Sequence, residues 1–543
     1  MSTNSPRRTS ARVMRALVLA ALGPAALAAQ ERQGGHGAHA DHHPPADSGR
    51  VVLMNGLGRM HRPIATTVPL AQRFFDQGLA LAYAFNHAEA KRSFAEAARL
   101  DPSCAMCHWG VAYVLGPNIN APMDPAANAE AHAAATRAAD VATAPLERAL
   151  AGALLRRYAA PGSDIPRTAL DSAYAVAMAA VARTAPDDPD VAALHAEALM
   201  NLSPWSYWTR DRAPRPGTEP MLAALERALR ADANHPGACH FYIHAVEAAF
   251  PERAVACAER LAALMPAAGH LVHMPAHIYL RVGRWDDAIR ANEHAVHADE
   301  TLFADRGANG LYAAAYYPHN HHFLAFAATM AGREARALEA ARAGARHTPA
   351  GVAAGVLELQ LVVAAPYLTL ATFGRWEQLL REPMPQPGQR LATALAWQAR
   401  GRAASALGRP AEARAALDSV AAIEAATTTY PAAPVLRIAR LVLGAEIAER
   451  QGDRTGAVAR LTEAVSVEDA MSYMEPPYWF QPVRPLLGAT LLRAGRATDA
   501  ERAFREDLAR FPKNVWSERG LARSVAAAGG ARAGERGEVA VRP

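Results

Sequence analysis

Five times between residues 283 and 500 a glycine is followed five residues later by an alanine: Gly283 and Ala288, Gly332 and Ala337, Gly408 and Ala413, Gly452 and Ala457, Gly495 and Ala500. Glycine ends a helix in the left-handed cap conformation at little steric cost, and a small residue early in the next helix lets two helices approach closely. A chain that repeats this pair is committed to short helices packed as hairpins. The remaining sequence beyond residue 68 agrees. Ala-, Leu- and Arg-rich stretches of helical period are broken by Gly or Pro, and alternating β-branched segments are nearly absent. The expected fold class is all-α, an α-solenoid of helix-hairpin repeats.

With 51% hydrophobic residues in 543, the chain has enough apolar content for a large core. Its formal charge of +5 owes four positive charges to Arg7, Arg8, Arg12 and Arg15, in a stretch without acids. No basic stripe with interleaved aromatics follows, which excludes a nucleic-acid partner. Residues 1–28 read as a signal peptide: an Arg-bearing start, an apolar stretch from Ala16 to Ala28, and a small-residue cleavage site at Ala26-Leu27-Ala28. The Arg7-Arg8 pair lacks the apolar residues that usually follow a twin-arginine signal, so general secretion is expected. The mature protein is then periplasmic or secreted. The apolar run 361–373 is too short to span a bilayer and contains Pro366, so no transmembrane segment is expected in the mature chain.

Residues 29–67 read as a flexible linker, with His36, His39, His42 and His43 close together. It serves as a solvated tether or gathers metal weakly. The repeat region divides into an N-terminal part, 68–350, which carries the Cys and His clusters, and a C-terminal part, 351–530. A disordered tail over 531–543 completes the chain.

Within Ala71 to Pro102, Gly78 falls in a first helix, Ala90, Phe94 and Ala97 in a second, and Pro102 closes the unit; Ala254 and Ala288 stand one such unit apart. This register resembles the tetratricopeptide repeat family, whose unit is two antiparallel helices in about 34 residues. The segments FNHAEAKRSFAEAARLDPSCAMC, GPNINAPM, HLVHMPAHIYLRVGRWDDAI, YYPHNHHFL and EPPYWFQPVRPLLGATLL also resemble a group of bacterial exported repeat proteins. The family resemblance implies that first helices line a concave groove.

Eleven of the 21 histidines lie between His235 and His322. His240, His244 and Glu247 stand at i, i+4 and i+7, and His270, His273 and His277 at i, i+3 and i+7, so each trio forms one stripe of its helix. His319 and His322 take the first two of the same offsets in the following unit. On the resemblance, these offsets face the groove. Helices pack roughly 8–10 Å apart, so imidazoles from adjacent first helices can converge on a metal ion. A nitrogen-rich site suits Zn, Cu, Fe or Ni. Glu247 is a candidate ligand or general base. The alternative is a metal-free interaction scaffold whose groove takes an envelope protein or peptide. His294 and His297, on a second helix, read as surface residues, and His321 is ambiguous.

Cys104-Ala105-Met106-Cys107-His108 matches the C-x-x-C-H haem attachment pattern, with His108 as axial ligand of a c-type haem in an electron carrier. A Cys104–Cys107 bridge and thiolate metal ligation are the competing readings. Cys239 and Cys257 read as small buried residues. Asn118 and Asn120 are expected to organise a turn. Trp205, Tyr207 and Trp208, like Tyr473, Tyr478 and Trp479, are expected to fill gaps between repeats. There is no phosphate-binding glycine loop, serine nucleophile elbow or H-E-x-x-H helix.

Overall fold

The computed structural model describes residues 51–308 and 310–539, so the expected signal peptide and His36, His39, His42 and His43 lie outside the described residues. Among those residues there is no β-strand, only an isolated bridge between Trp208 and Pro214. The chain is all-α. Successive helices pair as hairpins: Pro69–Tyr83 with His87–Leu100, Ala105–Leu115 with Asn128–Val141, Pro189–Met200 with Thr218–Ala231, and Tyr317–Met330 with Glu334–His347. The pairing continues through Arg390–Ala406 with Pro410–Ala425, Ala432–Arg450 with Arg454–Ala470, and Val483–Arg493 with Ala497–Arg510. No helix among the described residues is long and apolar enough to cross a membrane. The run 361–373 falls largely in the helix Leu357–Thr372, buried along most of its length.

The glycine–alanine pairs do what their chemistry requires. Gly283, Gly332, Gly408, Gly452 and Gly495 all have φ between +72° and +86°. In each cap the next residue's N–H reaches back to close the helix, as Arg284 to the Tyr279 carbonyl at 2.9 Å and Arg409 to the Ala404 carbonyl at 2.8 Å. The five partner alanines are buried. A second device joins one hairpin to the next. Phe94 is wedged between Gly78 and Gly110, where an added Cβ would stand 2.6 Å and 2.2 Å from its ring. Phe504 repeats the arrangement between Gly488 and Gly520, with corresponding approaches of 2.6 Å and 2.3 Å.

One hydrophobic core runs from Leu57 to Phe504. The array also folds back on itself. Trp285 Nε1 donates to the Pro512 carbonyl and Trp516 Nε1 to the Thr329 carbonyl, both at 2.9 Å, and the Phe326 ring packs on Phe480 and Phe511. Residues 51–67 correct the expectation of a flexible linker reaching to 67. They lack helical period but have long-range partners: the Gly56 carbonyl accepts from Ala267 N at 3.0 Å, and Arg62 pairs with Asp188 and Asp190 at 2.9 Å and 3.0 Å. At the other end the helix Val515–Val539 continues into the stretch expected to be a disordered tail, and 540–543 lie outside the described residues.

Candidate metal centre

Three first helices bring the histidines together. Pro236–Val246 starts at His235, whose Nδ1 accepts from Ala238 N at 3.0 Å, with Pro236 at the first position where no donor is needed. It carries His240 and His244, with Glu247 just past its end. The second stripe is split at Met274 into Gly269–His273 and Pro275–Arg281, because Pro275 has no N–H to continue the ladder. The third begins with a π-helical turn, Tyr312–Tyr316, and continues as Tyr317–Met330 with His319 and His322. Such turns often occur at functional sites.

Five imidazoles close into a ring. Centroid separations are 4.9 Å for His240–His244, 5.4 Å for His244–His277, 4.8 Å for His277–His273, 5.9 Å for His273–His270 and 4.9 Å for His270–His240. His319 lies 5.0 Å from His273. Within this set, one nitrogen each of His240, His244 and His270 lie within 4.8 Å of one another, and the same holds for His273, His277 and His319.

Hydrogen bonding separates the two trios. His240 Nδ1 donates to the Tyr83 carbonyl at 2.6 Å, and His244 Nδ1 lies 3.3 Å from Glu247 Oε1. The Nε2 of each, and both nitrogens of His270, are buried without a hydrogen-bond partner. Burial, with the neighbouring histidines, lowers the pKa of all three, so each presents a neutral imidazole. In the second trio, Asn292 Nδ2 donates to the Ala288 carbonyl, which leaves its Oδ1 to accept from His273 Nδ1 at 2.7 Å. His273 Nε2 is therefore an acceptor, and His277 Nε2 donates to it at 3.0 Å. His277 Nδ1 lies 2.9 Å from Glu247 Oε2 and 3.2 Å from Glu475 Oε2. Two carboxylates this close to Nδ1 favour the charged form of His277. Burial opposes that charge, but the two carboxylates outweigh it and hold the pKa up at about 9. Burial likewise acts to raise Glu247, yet His277 and His244 hold it below the usual carboxylate range; Glu475 is pushed up by burial.

Outer contacts fix the histidines. Tyr312 OH accepts from His270 N at 2.9 Å and donates to buried Asp299 at 2.9 Å, while Asn320 Nδ2 donates to Asp299 at 2.8 Å. Asp299 closes so tightly on the start of its neighbour that a Cβ at Gly269 would stand 1.9 Å from Oδ1. Phe85, held at φ +56°, puts its ring 4.5 Å from His240 and 5.6 Å from His270. A bulky residue with positive φ persists only where its surroundings demand it.

A cavity of about 150 Å³ adjoins the ring, reached by His244, His270, His277, His319 and His322 and walled on its other side by Val356, Leu359 and Val362. The expected open groove is corrected here. His240, His244, Glu247, His270, His273 and His277 are all at most 3% exposed, with residues of the following unit, Val356 to Val362, and of the loop 471–482 lining the cavity beside them. His322 lines the cavity but belongs to neither trio, and its ring stacks on Phe480. His321 packs instead with Tyr317 and His347, and His294 and His297 are exposed. Glu247, held below the usual range, is a poor proton acceptor, and its contacts are those of a group that orients His244 and His277.

The haem reading is also corrected. Cys104 and Cys107 are bonded to each other as a disulfide, both are buried, and His108 Nε2 lies 3.0 Å from the Pro102 carbonyl. No thiol remains for a thioether, and neither cysteine lines the cavity. Cys239 and Cys257 are buried free cysteines with sulfurs 2.7 Å apart. Asn118 organises its turn by accepting from Asn120 N and Ala121 N, and Asn120 also donates to Tyr316 OH at the cavity. Sequence reasoning missed Phe85, Asn292, Tyr312 and Glu475 as site residues. Glu475 lay in a quoted segment, EPPYWF, but no periodicity tied it to the histidines.

No family model matches the chain, and neither does any curated protein. Among solved structures it is similar to human IFIT1 in a dimer with m7Gppp-AAAA, at 13% identity and TM-score 0.34, over 86% of this chain and 91% of that one. It is similar to the Cut9–Hcn1 hetero-tetramer of APC/C at 12% and 0.32, over 84% and 76%, and to yeast Tom70 at 10% and 0.30, over 85% and 89%. Likeness at this level carries no statement of function; the all-α hairpin fold rests on the chain's own helices, caps and packing.

Proposed function

We propose that this chain is an exported metalloprotein whose hairpin array encloses a transition-metal centre held by His240, His244 and His270. The observation that carries the reading is the convergence of three buried imidazoles, each with a nitrogen within 4.8 Å of a nitrogen of the other two and each with a buried nitrogen that has no hydrogen-bond partner. An unpaired buried nitrogen costs free energy that a metal bond removes. Metal-ligating imidazoles usually donate their other N–H to a carbonyl or carboxylate, as His240 does to Tyr83 and His244 to Glu247. Three protein nitrogens leave a further coordination position, and His244 and His270 bring it beside the cavity. When bound, the ion would supply Lewis acidity to a small ligand there. The all-nitrogen set suits Zn, Cu, Fe or Ni.

The interaction-scaffold alternative needs the histidine face open to an extended partner, and the burial of that face favours an ion over a peptide. Export rests on the signal pattern in residues 1–28 and on the likeness to exported bacterial repeat proteins. Elemental analysis of protein secreted from its signal sequence and purified without an affinity tag tests both claims. A cleaved chain carrying a transition metal is expected; a metal-free chain whose thermal unfolding ignores added Zn²⁺ and Cu²⁺ would overturn the centre.

A further inference from the structure

The second trio differs from the first in having two of its rings joined by a hydrogen bond. His273 Nε2 and His277 Nε2 point at each other at 3.0 Å, and one hydrogen holds them together. His319 completes the trio, one nitrogen of each ring lying within 4.8 Å of one nitrogen of the other two. Each ring is braced from behind, His273 by Asn292 and His277 by Glu247 and Glu475. Two nitrogens turned toward one point, with outer partners on their far sides, are arranged as ligands of an ion are.

Glu247 links this trio to the first. Its Oε1 faces His244 and its Oε2 faces His277, so one carboxylate spans both sites, and His244, Glu247 and His277 themselves form a group with ligand atoms within 4.8 Å. Two cations in one buried cage repel strongly at low dielectric. A carboxylate that faces one ligand of each ion from behind offsets that repulsion, and Glu475 faces His277 on the same side.

We propose that His273, His277 and His319 hold a second divalent transition-metal ion beside the first, with Glu247 spanning the pair, so that the cavity opens on a dinuclear centre. The second ion takes the place of the proton between His273 and His277. Paired ions of this kind commonly clamp a small ligand through two of its oxygens. The ligand class this favours is a compact oxygen-donor anion whose remaining part is apolar enough for the wall of Val356, Leu359 and Val362.

This inference rests on the metal-centre reading, and metal stoichiometry separates the two. Full-length mature protein is stripped with chelator, titrated with Zn²⁺, desalted and analysed for metal per chain. Two ions per chain are expected in the wild type. His319→Gln, at a half-buried position that leaves the braced rings untouched, should retain one, and His270→Gln should lower the count while leaving the His273–His277 pair intact. Glu247→Gln should weaken the second ion by roughly 10–100-fold. A wild type that binds a single ion, lost in His270→Gln and unaffected by His319→Gln, overturns the second site and leaves the first. A wild type that binds none overturns both. Far-UV circular dichroism on each variant keeps loss of fold from being counted as loss of a ligand.

Discussion

His273 Nε2 accepts a hydrogen bond from His277 Nε2 at 3.0 Å while Asn292 fixes the opposite side of the His273 ring. That pairing orients both rings, with the carboxyl groups of Glu247 and Glu475 facing the other nitrogen of His277 at 2.9 Å and 3.2 Å. On the proposed reading, such a cage exchanges a proton for a metal ion. It also makes the cage's contribution to stability depend on what fills it.

Metal loading should therefore stabilise the fold. At Zn²⁺ concentrations of about 100 times Kd, linkage gives roughly 2.7 kcal/mol per site. Differential scanning calorimetry of stripped and reloaded protein is expected to show a higher Tm on reloading, and His240→Ala/His244→Ala/His270→Ala should remove the first site's share of that shift.

Gly269→Ala tests the outer contacts. A methyl group there would overlap Asp299, which holds Tyr312 and through it the His270 backbone. The expected result is a loss of metal affinity of about 10–100-fold with helical content retained. Competition titration against a chromophoric chelator reads it, and unchanged affinity would show that Asp299 does not position His270.

Two glycine substitutions should have opposite signs. Gly110→Ala drives a methyl group into the fully buried Phe94 ring and is expected to destabilise by about 1–3 kcal/mol. Gly152→Ala, in a helix with nothing within 4 Å of the new Cβ, should stabilise by about 0.4–1 kcal/mol. Urea unfolding of the two variants beside the wild type settles the comparison.

Glu468 gives the chain a pH dependence remote from the histidines. Burial and the nearby charge of Asp507 push its pKa up to about 8 from 4.5, while its carboxylate accepts from Val483 N at 3.2 Å. The native state thus keeps a proton that the unfolded chain has lost, so this group's contribution falls as pH rises from about 4.5 to about 8. Glu468→Gln keeps the acceptor and removes the titration. Its Tm should decline less than the wild type's between those limits; parallel profiles would refute the assignment.

The fold was legible because its determinants are local and repeated. A glycine at Gly283 or Gly408 needs only its own helix to specify a left-handed cap, and Ala288 or Ala413 needs only its neighbour to specify close packing. The two histidine stripes were legible for the same reason, since 3.6 residues per turn places His240 above His244 and His270 above His273 and His277. Glu475 and Tyr312 were not. Glu475 meets the histidines from a loop of the folded-back part of the array, and Tyr312 from a π-helical turn of the neighbouring unit, and neither has a periodicity that points to them.

The sequence by itself determined an all-α hairpin array and a clustering of imidazoles on its first helices, because helical phase and cap chemistry act within a few residues. Tertiary structure alone decided that those imidazoles are buried and that five of them close into a ring. Trp285 reaches Pro512, Trp516 reaches Thr329 and Glu475 reaches His277, contacts between residues about two hundred positions apart. Long-range packing of that kind turned a face of histidines into an enclosed cage.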